Sequence, residues 1–159
     1  MTSKKIAYIS VLSALAIICG YIESLFPAAP IPGIKLGISN IVILFALYRF
    51  DKSSAFFIMF IKVIVSSLLF SGLTVFIYSL AGGVFSILVM LVAKKHLSTT
   101  GVSMAGGVFH NVGQLLTSAL MMKTTAVFVY TPHLMISGVI VGAVTGSVCQ
   151  IILKRKDLT

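Results

Sequence analysis

Apolar residues run through this chain in six long stretches, which are separated by short stretches rich in charged residues, glycine or proline. The six stretches cover residues 6–26, 36–50, 54–72, 73–93, 102–122 and 134–153. Most of them reach the roughly 20 residues that an α-helix needs to cross a lipid bilayer. The apolar–polar alternation typical of membrane β-strands is absent from the sequence. The pattern predicts an all-α integral membrane protein, with six transmembrane helices in a single domain over residues 1–159.

The second stretch, 36–50, is short for a membrane crossing. As a helix its 15 residues would extend about 22 Å, less than the roughly 30 Å of a bilayer's hydrocarbon core. We therefore expect this helix to tilt little, to thin the bilayer locally, or to begin below the membrane surface.

The basic residues predict the orientation of the helices. With the N-terminus in the cytoplasm, the inner side carries Lys4, Lys5, Arg49, Lys52, Lys94, Lys95, Lys154, Arg155 and Lys156. Lys35 and Lys123 fall on the outer side, and Lys62 lies within the third helix. Because inner loops of membrane proteins are enriched in Lys and Arg, both termini are predicted to be cytoplasmic in a multi-pass protein of the cell membrane. The first apolar run lacks a cleavage site and is expected to be a retained helix rather than a signal peptide.

Composition excludes several classes of protein. Apolar residues make up 58% of the chain and charged residues 9%, against roughly 25% charged residues in a soluble domain. A soluble enzyme and a disordered tail are therefore excluded. The net charge of +9 belongs to residues scattered between apolar runs, so it does not indicate a nucleic-acid partner. The expected surroundings are a lipid bilayer.

Motifs for catalysis and metal binding are absent from the sequence. There is no Gly-rich phosphate loop with its lysine, no Asp-rich magnesium motif, and no Ser-His-Asp grouping. Cys19 and Cys149 both lie in apolar runs and are interpreted as small apolar residues. We therefore expect no enzymatic activity of the chain's own, no cofactor and no metal.

The first outer loop is rich in proline. It contains Pro27, Pro30 and Pro32, followed by Gly33, among mostly apolar neighbours. Prolines exclude a regular helix there and favour extended geometry. Two interpretations stay open: a stiff connector between helices, or a lid over a cavity that opens outward.

Two charged residues are predicted to lie within membrane helices. A lysine at the centre of a helix, as at Lys62, costs roughly 2.5–3.5 kcal/mol on insertion scales. Helical rise puts Glu23 about 14 Å further from the inner surface than Lys62. Lys62 could extend toward the cytoplasm, face a partner subunit or a water-filled cavity, or bind an anionic ligand. Glu23 could be an interfacial residue, or a cation-binding or proton-sensitive group at the mouth of a cavity.

Polar residues also cluster in the fifth helix. Gln114 lies four residues after His110 and three after Asn111, so it neighbours both of them on the surface of a helix. Polar side chains in a membrane helix need partners and face the protein interior. The cluster is either an interhelical hydrogen-bond network or part of a ligand site.

Small residues recur at four-residue spacing in two helices. In the sixth helix they are Gly138, Gly142 and Gly146, and in the first helix they are Ser10, Ala14, Ala16 and Gly20. Such spacing allows the backbones of two helices to approach closely. For the sixth helix we favour packing within the chain. For the first helix, docking onto another membrane protein is an equal alternative.

Three motifs carry a resemblance to known proteins. Pro-Gly-Ile-Lys-Leu-Gly-Ile-Ser-Asn at 32–40 resembles the first outer loop and second helix of the substrate-binding S-components of energy-coupling-factor (ECF) transporters. Ser-Leu-Ala-Gly-Gly-Val-Phe-Ser at 79–86 and His-Asn-Val-Gly-Gln at 110–114 resemble one family more closely. That family carries two names, heptaprenyl diphosphate synthase component I and Gx transporter family.

The transporter resemblance implies an S-component-like bundle that captures a small, anionic or oxygen-rich molecule. A separate transmembrane protein and ATPases would then drive uptake, and the small residues of the first helix would form the docking face. The implied ligand contacts are Lys35, Asn40, Ser79, His110, Asn111 and Gln114. The synthase name implies instead a non-catalytic membrane subunit, associated with heptaprenyl diphosphate or quinone synthesis or with membrane electron transfer.

Overall fold

The described part of the chain is entirely helical, as the apolar pattern predicts. The computed structural model describes residues 3–25, 38–70 and 72–155. The α-helices are α1 (Ser3–Leu25), α2 (Ile38–Arg49), α3 (Lys52–Phe70), α4 (Gly72–Ala93), α5 (Thr99–Met122) and α6 (Thr131–Lys154), with a short 3-10 helix at Ala126–Tyr130. Each of the six apolar stretches therefore contains one α-helix.

The lengths and compositions of these helices are those of a multi-pass membrane protein. Four spans are long and apolar enough to cross a bilayer: Ser3–Glu23, Lys52–Phe70, Gly72–Ala93 and Ala126–Lys154. Helix α2 has 12 residues and is about 18 Å long, so it is shorter than the membrane core. Helix α5 has 24 residues but carries the polar cluster. Six crossings, and the cytoplasmic location of both termini, stay predictions.

The helices contact one another in a closed ring that α2 completes between α6 and α1. Helix α1 contacts α2 and α3, and the ring continues through α3, α4, α5 and α6 back to α2. Helix α2 also contacts α3. Half of α2 is buried, including Val42, Leu44 and Leu47. The side chains of the shortest helix thus reach the interior of the bundle.

Glycines bring the backbones of α5 and α6 into direct contact. A Cβ atom added at Gly138 would lie 2.8 Å from the backbone nitrogen of Val108, and one at Gly142 would lie 2.6 Å from Cα of Met104. Gly146 packs in the same way against Thr100. Only glycine fits at such separations, so this repeat packs within the chain.

The ends of the helices that carry most of the basic residues lie together. Lys5 of α1 forms an ion pair with Asp51, which precedes α3. Lys94 follows α4, and its ammonium donates a hydrogen bond of 2.8 Å to the Leu47 carbonyl near the end of α2. The loops predicted to be cytoplasmic therefore share one end of the bundle.

Asp51 also fixes the start of α3. Its carboxylate accepts hydrogen bonds from the Ser54 backbone N–H at 2.7 Å and the Ser54 hydroxyl at 2.8 Å. Together with the Lys5 ammonium, these bonds hold the pKa of Asp51 well below its ordinary value. The charged carboxylate is thus the form that the folded protein stabilises.

Candidate functional site

Two small cavities, the larger lined mainly by polar residues and the smaller mainly by apolar ones, adjoin each other within the bundle. The larger has a volume of about 40 Å³ and lies between α2, α5 and α6; the smaller, of about 10 Å³, lies between α2, α3, α4 and α5. Asn40 and His110 line both cavities. These two side chains are therefore the shared wall of a two-part site.

Hydroxyl and amide groups dominate the walls of the larger cavity. Asn40, His110, Asn111, Ser103, Ser137 and Thr145 all line it. The Ser103 and Thr145 hydroxyls share a hydrogen bond of 2.9 Å across the α5–α6 contact. The Asn111 amide donates a bond of 2.6 Å to the Leu134 carbonyl of α6. These bonds hold α5 and α6 in register around the cavity.

The larger cavity is too small in this structure for a metabolite-sized ligand. A cavity of about 40 Å³ holds about two water molecules. Sites for metabolite-sized ligands usually enclose roughly 300–1,000 Å³. Entry of such a ligand therefore requires helices or side chains to move apart.

Lys62 contributes a charged group to the smaller cavity. It lines this cavity together with Asn40, His110 and Ser86. Its stem also passes α1, because a Cβ added at Gly20 would lie 3.5 Å from Cε of Lys62. Several alternatives were open for Lys62 from the sequence. Its position here fits the alternative in which the lysine faces an internal cavity.

Glu23 binds the buried start of α2. Its side chain is 5% exposed, and it accepts a hydrogen bond of 2.8 Å from the Ser39 backbone N–H. The Ser39 hydroxyl lies 3.3 Å and 3.5 Å from its two oxygens. A carboxylate is stabilised at a helix N-terminus, where unpaired N–H groups carry partial positive charge. Glu23 is therefore buried within the protein and caps the start of α2.

Glu23 and Lys62 approach the same turn of α1. Gly20 of α1 contacts the lysine stem. Ser39 of α2 binds Glu23, and the next residue, Asn40, lines the smaller cavity together with Lys62. The start of α2 thus lies close to both charges.

Two of the predicted ligand contacts that the structure describes, Ser79 and Gln114, do not line these cavities. Gln114 packs on α4, since a Cβ added at Gly82 would lie 2.8 Å from Cγ of Gln114. Ser79 is buried on α4 about one turn before Gly82. Both residues line neither cavity, because they lie a turn further along their helices. Lys35 lies outside the described residues.

The small residues of α1 do not form one docking face. Ser10 and Ala14 are exposed, whereas Ala16 is fully buried and Gly20 faces Lys62 and Ser66. Residues 14 and 16 of a helix point about 200° apart. Two of the four predicted docking residues are therefore occupied by contacts within the chain, and the other two remain exposed.

One known protein family matches most of this chain. The sequence model of the family described as heptaprenyl diphosphate synthase component I matches residues 12–152. The chain belongs to that family. No curated protein and no solved structure gives a significant match.

In this component I family member, sequence reasoning missed several residues of the site. Ser103, Ser137 and Thr145 line the larger cavity, and Ser39 binds Glu23. Spacing along the helices could have identified two of these residues. Ser103 and Thr145 each lie about two turns from a polar residue or glycine that the sequence analysis had already singled out on the same helix. Among the residues that the structure describes, no group of three His, Cys, Asp or Glu could hold a metal ion.

Proposed function

We propose that this chain captures a small anionic or oxygen-rich molecule in the membrane for uptake, as the S-component of a transporter does. The observation that carries the proposal is the meeting of Asn40, His110 and Lys62 around adjoining cavities inside an apolar bundle. Polar and charged groups are expensive at membrane depth and usually mark a ligand or ion pathway. Because these groups lie together, binding of a ligand is favoured over a purely structural role in helix packing.

The charge of this site favours a ligand with anionic or carbonyl oxygens. Lys62 supplies an ammonium, and Asn40 and Asn111 supply amide donors.

Uptake would require partner proteins that supply energy. The sequence contains no phosphate-binding loop of its own. We therefore propose a separate transmembrane subunit and ATPases of the ECF type. Opening of the site from its volume of about 40 Å³ would accompany ligand entry.

The alternative is a non-catalytic membrane subunit associated with heptaprenyl diphosphate or quinone synthesis. Two observations favour it: the description of the family, and an open apolar groove of about 520 Å³ at the other side of α5. In this alternative the protein would hold a prenyl chain or a synthase subunit, and the two small cavities would belong to a hydrogen-bond network.

Native mass spectrometry of the protein purified with its own membrane partners separates the two proposals. We expect a bound polar metabolite in the wild type, and its loss in His110→Ala and Asn40→Ala variants. Ser118→Ala is the matched control, because Ser118 lies on α5 but bonds only toward Met122. A bound prenyl diphosphate or a soluble synthase subunit would support the alternative. Absence of any bound metabolite, with or without partners, would contradict capture.

A further inference from the structure

A broad apolar groove lies outside the two small cavities, at the end of the bundle away from the Lys5–Asp51 ion pair. Its volume is about 520 Å³, within the roughly 300–1,000 Å³ of sites that bind ligands. Phe85 of α4, Leu116 and Leu120 of α5, and Phe128 of the 3-10 helix line it. All four side chains are among the exposed large apolar residues. In a membrane protein such a surface faces hydrocarbon.

The length of the groove matches one leaflet of a bilayer. Phe85 marks its inner end, because a Cβ added at Gly113 would lie 3.1 Å from Cβ of Phe85. Lys123, which follows the last turn of α5, marks its outer end. From residue 113 to residue 123 a helix rises about 15 Å, half of the roughly 30 Å hydrocarbon core. One lipid tail of one leaflet therefore fits this length.

The outer end of the groove is positively charged and rich in hydroxyls. Lys123 lines it together with Thr124 and Thr125, and none of the lining residues that the structure describes is acidic. The C-terminus of α5 contributes a partial negative charge of about half a unit, so the lysine decides the sign of the local charge. An ammonium beside hydroxyl groups is suited to a phosphate group.

We propose that this groove binds one anionic phospholipid of the surrounding membrane. The phosphate lies at Lys123, where the membrane core ends, and one acyl chain runs along α5 between Phe128 and Phe85. An anionic lipid is favoured over a zwitterionic one, because the cation of the groove has no acidic neighbour among the described residues that line it. The bound lipid is distinct from the molecule captured in the two small cavities, so this proposal does not depend on the transport function.

Lipid selectivity measured by native mass spectrometry tests the charge at Lys123. The protein is placed in nanodiscs of equal parts phosphatidylglycerol and phosphatidylcholine with identical acyl chains. We expect the retained lipid to favour phosphatidylglycerol about five-fold, the contribution typical of one lysine near a lipid surface. Lys123→Gln should bring this ratio close to one. Lys95→Gln removes a cation at the opposite end of the bundle and should leave the ratio unchanged.

A second variant tests the acyl-chain part of the groove. Ala119 lines the groove, and Ala119→Trp fills it without changing the charge. It should lower retention of both lipids, whereas Lys123→Gln should change only which lipid is retained; circular dichroism checks that both variants keep their helices. Equal retention of the two lipids by the wild type would overturn the proposal, as would equal loss of selectivity in Lys95→Gln. Displacement of the phospholipid by added heptaprenyl diphosphate at equal concentration would overturn it in favour of a prenyl site.

Discussion

A single hydrogen-bonded pair, Glu23 with Ser39, joins α1 to the start of α2. The carboxylate is buried and accepts the Ser39 N–H at 2.8 Å. Without this acceptor, an N–H group at the first turn of α2 would be left unpaired away from water. The pair thus determines where α2 begins, and with it the position of Asn40 at the two cavities.

Two replacements of Glu23 distinguish the effect of its charge on stability from the effect of its hydrogen bond to α2. Glu23→Ala should lower the free energy of unfolding by about 1–3 kcal/mol, because it leaves a buried donor without a partner. Glu23→Gln keeps an acceptor oxygen and should lose less than half as much. The measurement is unfolding in mixed detergent, followed by helical circular dichroism. Equal losses in the two variants would show that charge, and not the hydrogen bond, is what stabilises α2.

A second pair, Asp51 with Lys5, predicts the response of stability to acid. The pKa of Asp51 in the folded protein lies below its ordinary value of 3.8 because of Lys5 and Ser54. A carboxyl group with a lowered pKa stabilises the fold fully above its unfolded pKa and loses that contribution as the pH falls below about 4. The stability difference between the wild type and Asp51→Asn should therefore be largest near pH 6 and shrink toward pH 3.

A nearby exposed charged residue serves as the control for this pH experiment on Asp51. Lys52 is exposed in the first turn of α3, so Lys52→Gln should leave the acid response of the wild type unchanged. A difference between wild type and Asp51→Asn that stays constant from pH 6 to pH 3 would contradict the assignment.

At the scale of helices, the sequence predicts the elements well because each is a continuous apolar run. Helix α4, predicted over 73–93, begins at Gly72 and ends at Ala93. Helix α5 begins three residues earlier than its apolar run, because the Ser98 hydroxyl accepts the Gly101 N–H at 3.2 Å and caps it. Short polar caps lie outside the apolar pattern, so boundaries shift there.

The site is less predictable than the helices, for a physical reason. Hydropathy and spacing identify polar residues such as His110 and Asn111, which line the larger cavity. The rotation of each helix, however, is set by its contacts with neighbours. His110 and Gln114 both pack on Gly82 of α4, across 28 and 32 positions of sequence that a local pattern does not connect, and of the two His110 lines the cavities whereas Gln114 does not.

The close glycine contact between α5 and α6 predicts how the stability of the protein depends on the packing of these two helices. In Gly142→Ala the new Cβ would lie 2.6 Å from Cα of Met104, so the two backbones must separate. We expect a loss of about 1–3 kcal/mol in the free energy of unfolding, as for other overpacked contacts. Gly20→Ala is the control, because its Cβ would lie at an ordinary 3.5 Å from the nearest side-chain atoms. If both variants lost the same stability, close α5–α6 contact would not be the cause.

For the molecule as a whole, the ring of helices gathers the loops predicted to be cytoplasmic at one end. The Lys5–Asp51 pair and the Lys94–Leu47 bond belong to that end, and Lys123 follows the opposite end of α5. The basic residues predict the first end to be cytoplasmic. This orientation would also decide from which side the proposed ligand could reach Asn40 and His110.

Cysteine labelling in intact cells tests the orientation. The background chain carries Cys19→Ala and Cys149→Ala, which remove the two free thiols. In it, Lys123→Cys should react with a membrane-impermeant maleimide added outside, because this loop is predicted to be external. Lys95→Cys should react only after the membrane is made permeable. Labelling of position 95 and not 123 in intact cells would reverse the orientation.

The short helix α2 has a consequence for how the protein enters the membrane during synthesis. Its 12 residues span about 18 Å, too little for stable insertion alone, and the following helix carries Lys62. The start of α2 finds its hydrogen-bond acceptor in Glu23 of α1, and the lysine stem of α3 lies against Gly20 of α1. Helix α2 is therefore expected to enter the membrane stably only beside α1, which supplies the hydrogen-bond acceptor for its first turn.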